Sequence, residues 1–299
     1  MANILIHRIP RAEIDTFDKN KWNSNNHPIK PEEVPEGKTE LEHYKNEIKK
    51  TLLCNWKSLT NCHHEIVLSK NTIETLKQCI PIGVLSRRRA RNFKEELDDV
   101  EKEIAEKWLS YPAEEGNEWF VRSDRVSPKD GIEDLPMNSP KKLVDALATS
   151  DRFYKAINDG DNRLYFFKYD PTWNEDREVR VFVYKGKVTA ISQYKWFSKG
   201  WFSERTDVEL ETIAKTIINF AEEAIKVIGS SLESKEGSKE GSKESATVDL
   251  YVEDVNKVKL VEFNSFGYWQ AAGSCLFHWL VDYDILYGKT DNIVFRIVS

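Results

Sequence analysis

Two stretches of alternating apolar and polar residues, 249–254 and 261–267, flank a short polar run, Asp254-Val-Asn-Lys257. No other feature constrains this chain more. Alternation with a period of two marks half-buried strands, and so short a link joins antiparallel neighbours as a hairpin. With Val255-Asn256 as a two-residue loop, Asp249 stands opposite Glu262, and Asn264 lies on the same face two residues on. That face gathers two carboxylates and an amide oxygen, with no lysine between them. Like charges held so close repel, and a cation between them would offset the cost. Hard oxygen donors suit Mg2+, which is usually held by one or two carboxylates plus substrate phosphates. Two acids on the wet face of an edge hairpin would give the same pattern, and the hairpin alone does not choose between the two readings.

The chain has 299 residues, 40% hydrophobic and 31% charged. That suffices for one large domain or two intimate ones. A net charge of −6 argues against broad electrostatic binding to nucleic acid or acidic membrane. The run Arg87-Arg-Arg-Ala-Arg91 leaves a local contact with RNA or an acidic protein open, beside the plainer reading of a solvated surface or helix start. No apolar run reaches the roughly 20 residues of a membrane span. The opening Met-Ala-Asn-Ile-Leu-Ile-His lacks the layout of a signal peptide. Cys54, Cys62, Cys79 and Cys275 have no paired spacing and read as buried thiols in a reducing compartment, so the expected location is cytoplasmic. Cys62-His63-His64 is not expected to bind zinc. Adjacent strand residues point to opposite faces, and no second Cys/His pair lies at finger spacing.

Along the chain, residues 1–37 are polar, contain Pro10, Pro28, Pro31 and Pro35, and read as partly irregular. Residues 38–117 read as an N-terminal α/β region and possible partner-binding lobe. It holds an amphipathic helix over 39–57, a strand over 64–69, a short helix over 71–79 and a helix over 92–109. Strands follow at 118–123 and 163–169. Ser139-Pro140 has the form of a helix start, a cap followed by proline. Residues 178–183 and 187–193 form a hairpin around Lys185-Gly186. Val179, Val181 and Val183 share one face of its first strand, and Glu178, Arg180 and Phe182 the other. A long helix over 207–228 precedes an insert that repeats Ser-Lys-Glu-Gly from Ser234 to Glu244. It has no apolar residue, so a flexible loop within 230–246 is expected.

Three basic residues could meet a polyphosphate. Arg122 ends a strand and Arg180 lies on the polar face of the first hairpin. Lys129 sits in Ser127-Pro-Lys-Asp-Gly131, a turn-forming run able to aim backbone N–H groups at an anion. A strand-borne arginine offers a fixed fork to phosphate oxygens, and a loop lysine a mobile point charge. Each also reads as an ordinary surface ion pair. Together with the acid, acid and amide of the second hairpin they make the inventory that holds a nucleoside triphosphate and its metal. The strand Leu164-Tyr-Phe-Phe-Lys-Tyr169 is of the kind that flanks adenine, or is simply a central strand. Trp173, Trp196 and Trp201 mark either a satellite core or a partner-binding or lid loop.

These residues occur in a recognisable order: Phe120-Val-Arg-Ser-Asp-Arg-Val-Ser-Pro-Lys-Asp-Gly131, then Glu178-Val-Arg-Val-Phe-Val183 with Ile191-Ser-Gln193, then Val248-Asp-Leu-Tyr251 and Val261-Glu-Phe-Asn-Ser-Phe-Gly267. The pattern resembles the cell division cycle protein 123 family, a branch of the ATP-grasp superfamily, over roughly residues 118–280. The resemblance implies an α+β ATP-grasp fold whose two lobes close on Mg-ATP, with 118–299 as the nucleotide-binding region. It implies Arg122, followed by Ser123, at the position of the family's phosphate-contacting lysine. Lys129 and Asp130 would lie in a small phosphate-side loop, Lys168 and Tyr169 near adenine, and Arg180 on the triphosphate. Asp249, Glu262 and Asn264 would ligate magnesium. Arginine at 122, glutamate at 262, serine at 265 and the repeat insert depart from the family pattern.

The resemblance carries two functional expectations. Eukaryotic members of the family are assembly factors that bind the gamma subunit of translation initiation factor two, so one expectation is an ATP-dependent assembly factor for that partner. ATP would shift the chain toward a partner-binding conformation. The other is an ATP-grasp ligase that activates a carboxylate as an acyl phosphate for attack by an amine. No distinct acceptor motif is visible in the sequence.

Overall fold

Lys185 and Gly186 take positive φ of 50° and 75°, the backbone that lets a two-residue loop match the twist of its flanking strands. The expected first hairpin forms around them. In this computed structural model the described residues are 3–14, 22, 47–109, 118–236, 244–267 and 273–299. They contain nine strands: β1 (Asn3–Ile9), β2 (His64–Val67), β3 (Trp119–Arg122), β4 (Arg163–Lys168), β5 (Glu178–Tyr184), β6 (Lys187–Gln193), β7 (Ala246–Asp254), β8 (Lys257–Ser265) and β9 (Asn292–Val298). Five longer helices are α1 (Lys70–Ser86), α2 (Lys94–Leu109), α3 (Pro140–Leu147), α4 (Asp151–Asn158) and α5 (Asp207–Glu236). The fold is mixed α+β, as expected. No helix among the described residues is long and apolar enough to cross a membrane.

The chain divides into two compact units, Met1–Leu59 with Trp173–Ser299, and Thr60–Thr172. The boundary read at 117/118 from the sequence therefore falls inside the second unit. There β4 lies between β2 and β3, so residues on both sides of 117 share one sheet. In the first unit, β1 pairs in parallel with β9 in full register from Asn3↔Asn292 to Ile9↔Val298. Residues 3–9, read as part of a partly irregular segment, are thus an edge strand whose partner lies at the far end of the sequence.

The first unit is built on a six-stranded sheet in the order β1-β9-β6-β5-β7-β8. Val179, Val181, Ile191, Val248, Leu250 and Phe295 are buried on its apolar face. Helix α5 packs over β1, β5, β6, β7 and β8 through Leu210, Ile213, Ile217, Ala221 and Ile225. Its apolar residues recur every three to four positions, as a helix lying on a sheet requires. On the other face Phe182, Ala190 and Val294 meet Phe277, Trp279 and Leu286. The α5 helix runs to Glu236 and takes in the first residues of the repeat insert. Residues 237–243 lie outside the described set. The insert's return is fixed: Gly186 N donates to Glu244 O at 2.8 Å, and Lys185 N to Ser245 Oγ at 2.9 Å.

In the second unit, α1 to α4 pack on one face of the β2-β4-β3 sheet. Ser69, Ser139 and Ser150 cap α1, α3 and α4 by accepting from Thr72 N, Lys142 N and Phe153 N. Each satisfies a backbone donor that the first helical turn leaves open. The α1 helix runs on through Pro81 to Ser86, past the expected end near 79. Core packing of Ile80 and Gly83 on its far side outweighs the lost backbone donor.

The expected helix over 39–57 falls partly on residues outside the described set. In the described part, helical residues 47–50 end at a turn, and Leu53–Trp56 is a separate short helix. Cys79 and Cys275 are buried as expected, but Cys54 is exposed and Cys62 half-buried. Of the aromatic run, the Trp201 ring meets the guanidinium groups of Arg177 and Arg205, at 4.9 and 4.5 Å, and Phe202 is fully buried. Trp196 packs against the small core of Ile9, Ile14, Trp22, Leu276 and Val298. Among the aromatic residues from 196 to 202, Phe197 is the exposed one, at 50%.

Candidate functional site

The polar face of the large sheet carries one continuous row of chemistry. Arg180 pairs with Ser192 on β6 and with Asp249 on β7, Asp249 pairs with Glu262 on β8, and Ser192 pairs with Arg296 on β9. Paired residues share a face, so Arg296, Ser192, Arg180, Asp249 and Glu262 line up across five strands. The register expected for Asp249 and Glu262 holds, by an indirect route. Pairing slips by one residue at Val252/Asp254 and slips back at Asp249/Leu250. Glu253 and Val261 are the extra residues of two bulges on opposite strands. A single bulge would have put Val261, not Glu262, opposite Asp249.

Arg180 and Asp249 are buried, at 5% and 1% exposure. Arg180 Nε donates to Asp249 Oδ1 at 2.8 Å and Nη2 to Oδ2 at 2.7 Å, a two-pronged pair. Its Nη1 donates to Gly273 O at 2.6 Å, and its guanidinium lies 5.0 Å from the centre of the Tyr194 ring. Asn264 Nδ2 donates to both Asp249 Oδ2 and Glu262 Oε1, each at 3.2 Å. The amide group thus stands between the two carboxylates. Burial pushes the Asp249 carboxyl up, Arg180 draws it down and the neighbouring Glu262 pushes it up again, leaving it raised to about 6.

Glu178, to which the sequence reading gave no role, belongs to the same face, two residues before Arg180. It accepts from Trp173 Nε1 at 2.6 Å, and that indole stacks on Tyr251 at 4.1 Å. Burial raises its carboxyl to about 7 against the pull of the Trp173 bond, with Asp249, Glu175 and Glu262 adding to the rise. The signal was present in the sequence as a charged residue alternating with Arg180 on a strand otherwise made of valine and aromatic residues. Arg296 at the other end of the row is neutralised by Asp282 through two bonds of 2.7 Å. Ser192 Oγ accepts from Leu276 N at 3.0 Å, which ties the chain around 276 to the middle of the sheet.

The remaining sequence candidates belong to the second unit. Arg122 is buried at the end of β3 and donates from Nη2 to Arg125 O at 3.3 Å. It pairs with Tyr165, and Phe120 with Phe167, on the sheet face opposite Val121 and Phe166. Ser123 is fully buried and donates to Asp161 Oδ2 at 2.7 Å. Lys129 is exposed. Both carboxylate oxygens of Asp130 serve the start of α4, accepting from Ser150 Oγ at 2.5 Å and Arg152 N at 3.1 Å. Lys168 is exposed at the end of β4, and Tyr169 N donates to Glu118 O at 2.9 Å. The structure thus brings Arg180, Asp249, Glu262 and Asn264 together in one unit, and places Arg122, Ser123, Lys129, Asp130, Lys168 and Tyr169 in the other.

The donor set suits a magnesium ion. Two carboxylate oxygens frame the point where the Asn264 amide sits, and turning that amide over would present its oxygen there. Hard oxygens and two neighbouring carboxylates fit such an ion. Among the described residues no group of three or more His, Cys, Asp or Glu side chains is arranged to hold a metal, so the candidate set is two carboxylates and an amide. The Arg87–Arg91 run is divided. Arg89 turns inward to Asp98, Glu101 and Asp145 at 2.8, 3.0 and 3.2 Å, and Arg87 Nη1 donates to Asp130 O.

The D123 family model matches residues 158–299. Among solved structures, Cdc123 from Schizosaccharomyces pombe superposes with a TM-score of 0.58 at 17% identity, covering 85% of this chain and 97% of its own. A C-terminally truncated Cdc123 from the same organism gives 0.54 at 17% identity over the same shares. At such identity the likeness establishes the fold. No match was found among curated proteins.

Proposed function

We propose, from the match of residues 158–299 to the D123 family model, that this chain is a cytoplasmic Mg-ATP-binding protein of ATP-grasp type. We propose further that it acts as an ATP-dependent assembly factor for the gamma subunit of translation initiation factor two. One observation carries the nucleotide reading. Asp249 Oδ2 and Glu262 Oε1 both lie 3.2 Å from Asn264 Nδ2, so two carboxylates converge on one point of a polar row that also holds Arg180.

Asp249, Glu262 and Asn264 would hold the ion, and Arg180 would keep Asp249 ionised and aimed. Bound Mg2+ would neutralise phosphate oxygens of the nucleotide. The family resemblance assigns Arg122, Ser123, Lys129 and Asp130 to the triphosphate, and Lys168 and Tyr169 to the base. Tight nucleotide binding would favour the conformation that binds the partner.

Two assays on one sample test the reading: phosphate release with ATP alone, and titration with purified gamma subunit with and without ATP. The proposal expects ATP-dependent binding of the gamma subunit and almost no turnover. No binding of the gamma subunit, together with phosphate release stimulated by a pool of amino acids or peptides, would contradict it and favour carboxylate–amine ligation.

A further inference from the structure

The loop that follows β3 is tied down at both ends by a single helix. At its far end, Asp130 caps the first turn of α4 through Ser150 Oγ and Arg152 N. Beyond the last turn of α4, Asp161 N donates to Ala156 O at 3.0 Å, and the Asp161 carboxylate reaches back to the near end of the loop. Asp161 is 4% exposed. Its Oδ2 accepts from Ser123 Oγ at 2.7 Å and from Arg125 N at 3.0 Å, and its Oδ1 pairs with Arg125 Nη1. Ser123 Oγ in turn accepts from Val126 N at 3.2 Å, and Ser123 N donates to Val126 O at 2.7 Å, closing a turn. The carbonyl of Arg125, the residue Asp161 grips most closely, is the one that receives Arg122 Nη2.

We infer that Asp161 is a positioning residue that fixes the Ser123–Val126 turn and, through Arg125, the guanidinium of Arg122, and so sets the affinity of this edge for a polyphosphate. This rests on the nucleotide reading above. Asp161 itself touches no ligand. A buried carboxylate with three donors on it is a rigid anchor, because every bond is charge-assisted and screened from water. Of the residues it fixes, Arg122 and Ser123 are ones the family resemblance assigns to phosphate, whereas the base-side Lys168 ends β4 and Tyr169 follows it. Its effect should therefore separate phosphate affinity from base affinity, which a general loss of fold would not do.

The test uses the full chain and Asp161→Asn, which keeps the shape and removes the charge. Calorimetry with Mg-ATP should show affinity lower by roughly tenfold, the scale of a hydrogen bond to a charged group. Binding of adenosine should match the wild type. Amide hydrogen exchange should quicken at residues 123–131 and stay unchanged in α3. Arg125→Lys, which keeps a cation but loses the fork, should move the same readouts in the same direction and serves if Asp161→Asn does not fold. A folded variant with wild-type ATP affinity and wild-type exchange in the loop would overturn the inference. If the wild-type protein ignored ATP, the nucleotide reading would fail instead, and the exchange comparison would still decide whether Asp161 holds the turn.

Discussion

Arg180 and Asp249 face each other across β5 and β7, and the guanidinium closes on the carboxylate through two bonds of 2.8 and 2.7 Å. Cation and anion of the candidate site are therefore paired before any ligand enters. Removing one partner strands a buried charge. Arg180→Met should destabilise the fold by about 3–5 kcal/mol, whereas Arg180→Met with Asp249→Leu should recover most of that loss. Urea unfolding of both variants measures this. No recovery in the double variant would mean that a stranded carboxylate is not what destabilises the single one.

The second prediction concerns the metal. Glu262 and Asn264 are half-buried on β8 and make no part of the apolar core. Glu262→Ala with Asn264→Ala should leave a folded protein whose affinity for ATP no longer responds to Mg2+. Titrations at several Mg2+ concentrations check this, and a response like that of the wild type would remove these residues from the metal site.

The third prediction is a pH dependence in the second unit. Burial pushes the Glu103 carboxyl up, but hydrogen bonds from Lys107, Thr72 and Ser69 outweigh it and hold it at about 2, below its ordinary 4.5. The folded state thus binds the proton less readily than the unfolded chain. The stabilisation is fully present above about pH 4.5 and is lost as pH falls toward 2. Glu103→Gln should flatten that acid limb and lower stability at neutral pH. Thermal unfolding between pH 3 and 7 reads both effects, and an acid limb identical to the wild type would contradict the assignment.

Gly131 supplies the fourth. A methyl group there would meet Ala146 O at 2.5 Å, and backbone cannot yield as a flexible side chain would. Gly131→Ala should destabilise the protein by roughly 1–3 kcal/mol, the usual scale for overpacking. The denaturation midpoint checks this, with no change as the contrary result.

Much of the candidate site was legible because strand periodicity is local. The alternation on either side of Val255-Asn256 gave the Asp249–Glu262 register, although two compensating bulges lay hidden inside it. The β5–β6 hairpin was legible from Lys185-Gly186 for the same reason. The terminal strands were not. The side chains of β1 are mostly half-buried or exposed and its partner β9 is 289 residues away, so neither local pattern nor neighbouring sequence announces the pairing. The division into units was hidden likewise, since one unit is assembled from both ends of the chain. The capping duty of Asp130 and the anchor at Asp161 depend on contacts across 20 to 38 positions, which spacing does not encode.

We propose that the row from Arg180 to Asn264 belongs to a Mg-ATP site. Calorimetric titration of the full chain with ATP, with and without Mg2+, tests it most directly. Saturable binding that tightens with Mg2+ and is lost in Glu262→Ala with Asn264→Ala is the predicted result. No binding of ATP under either condition, in a protein that unfolds cooperatively, would contradict it.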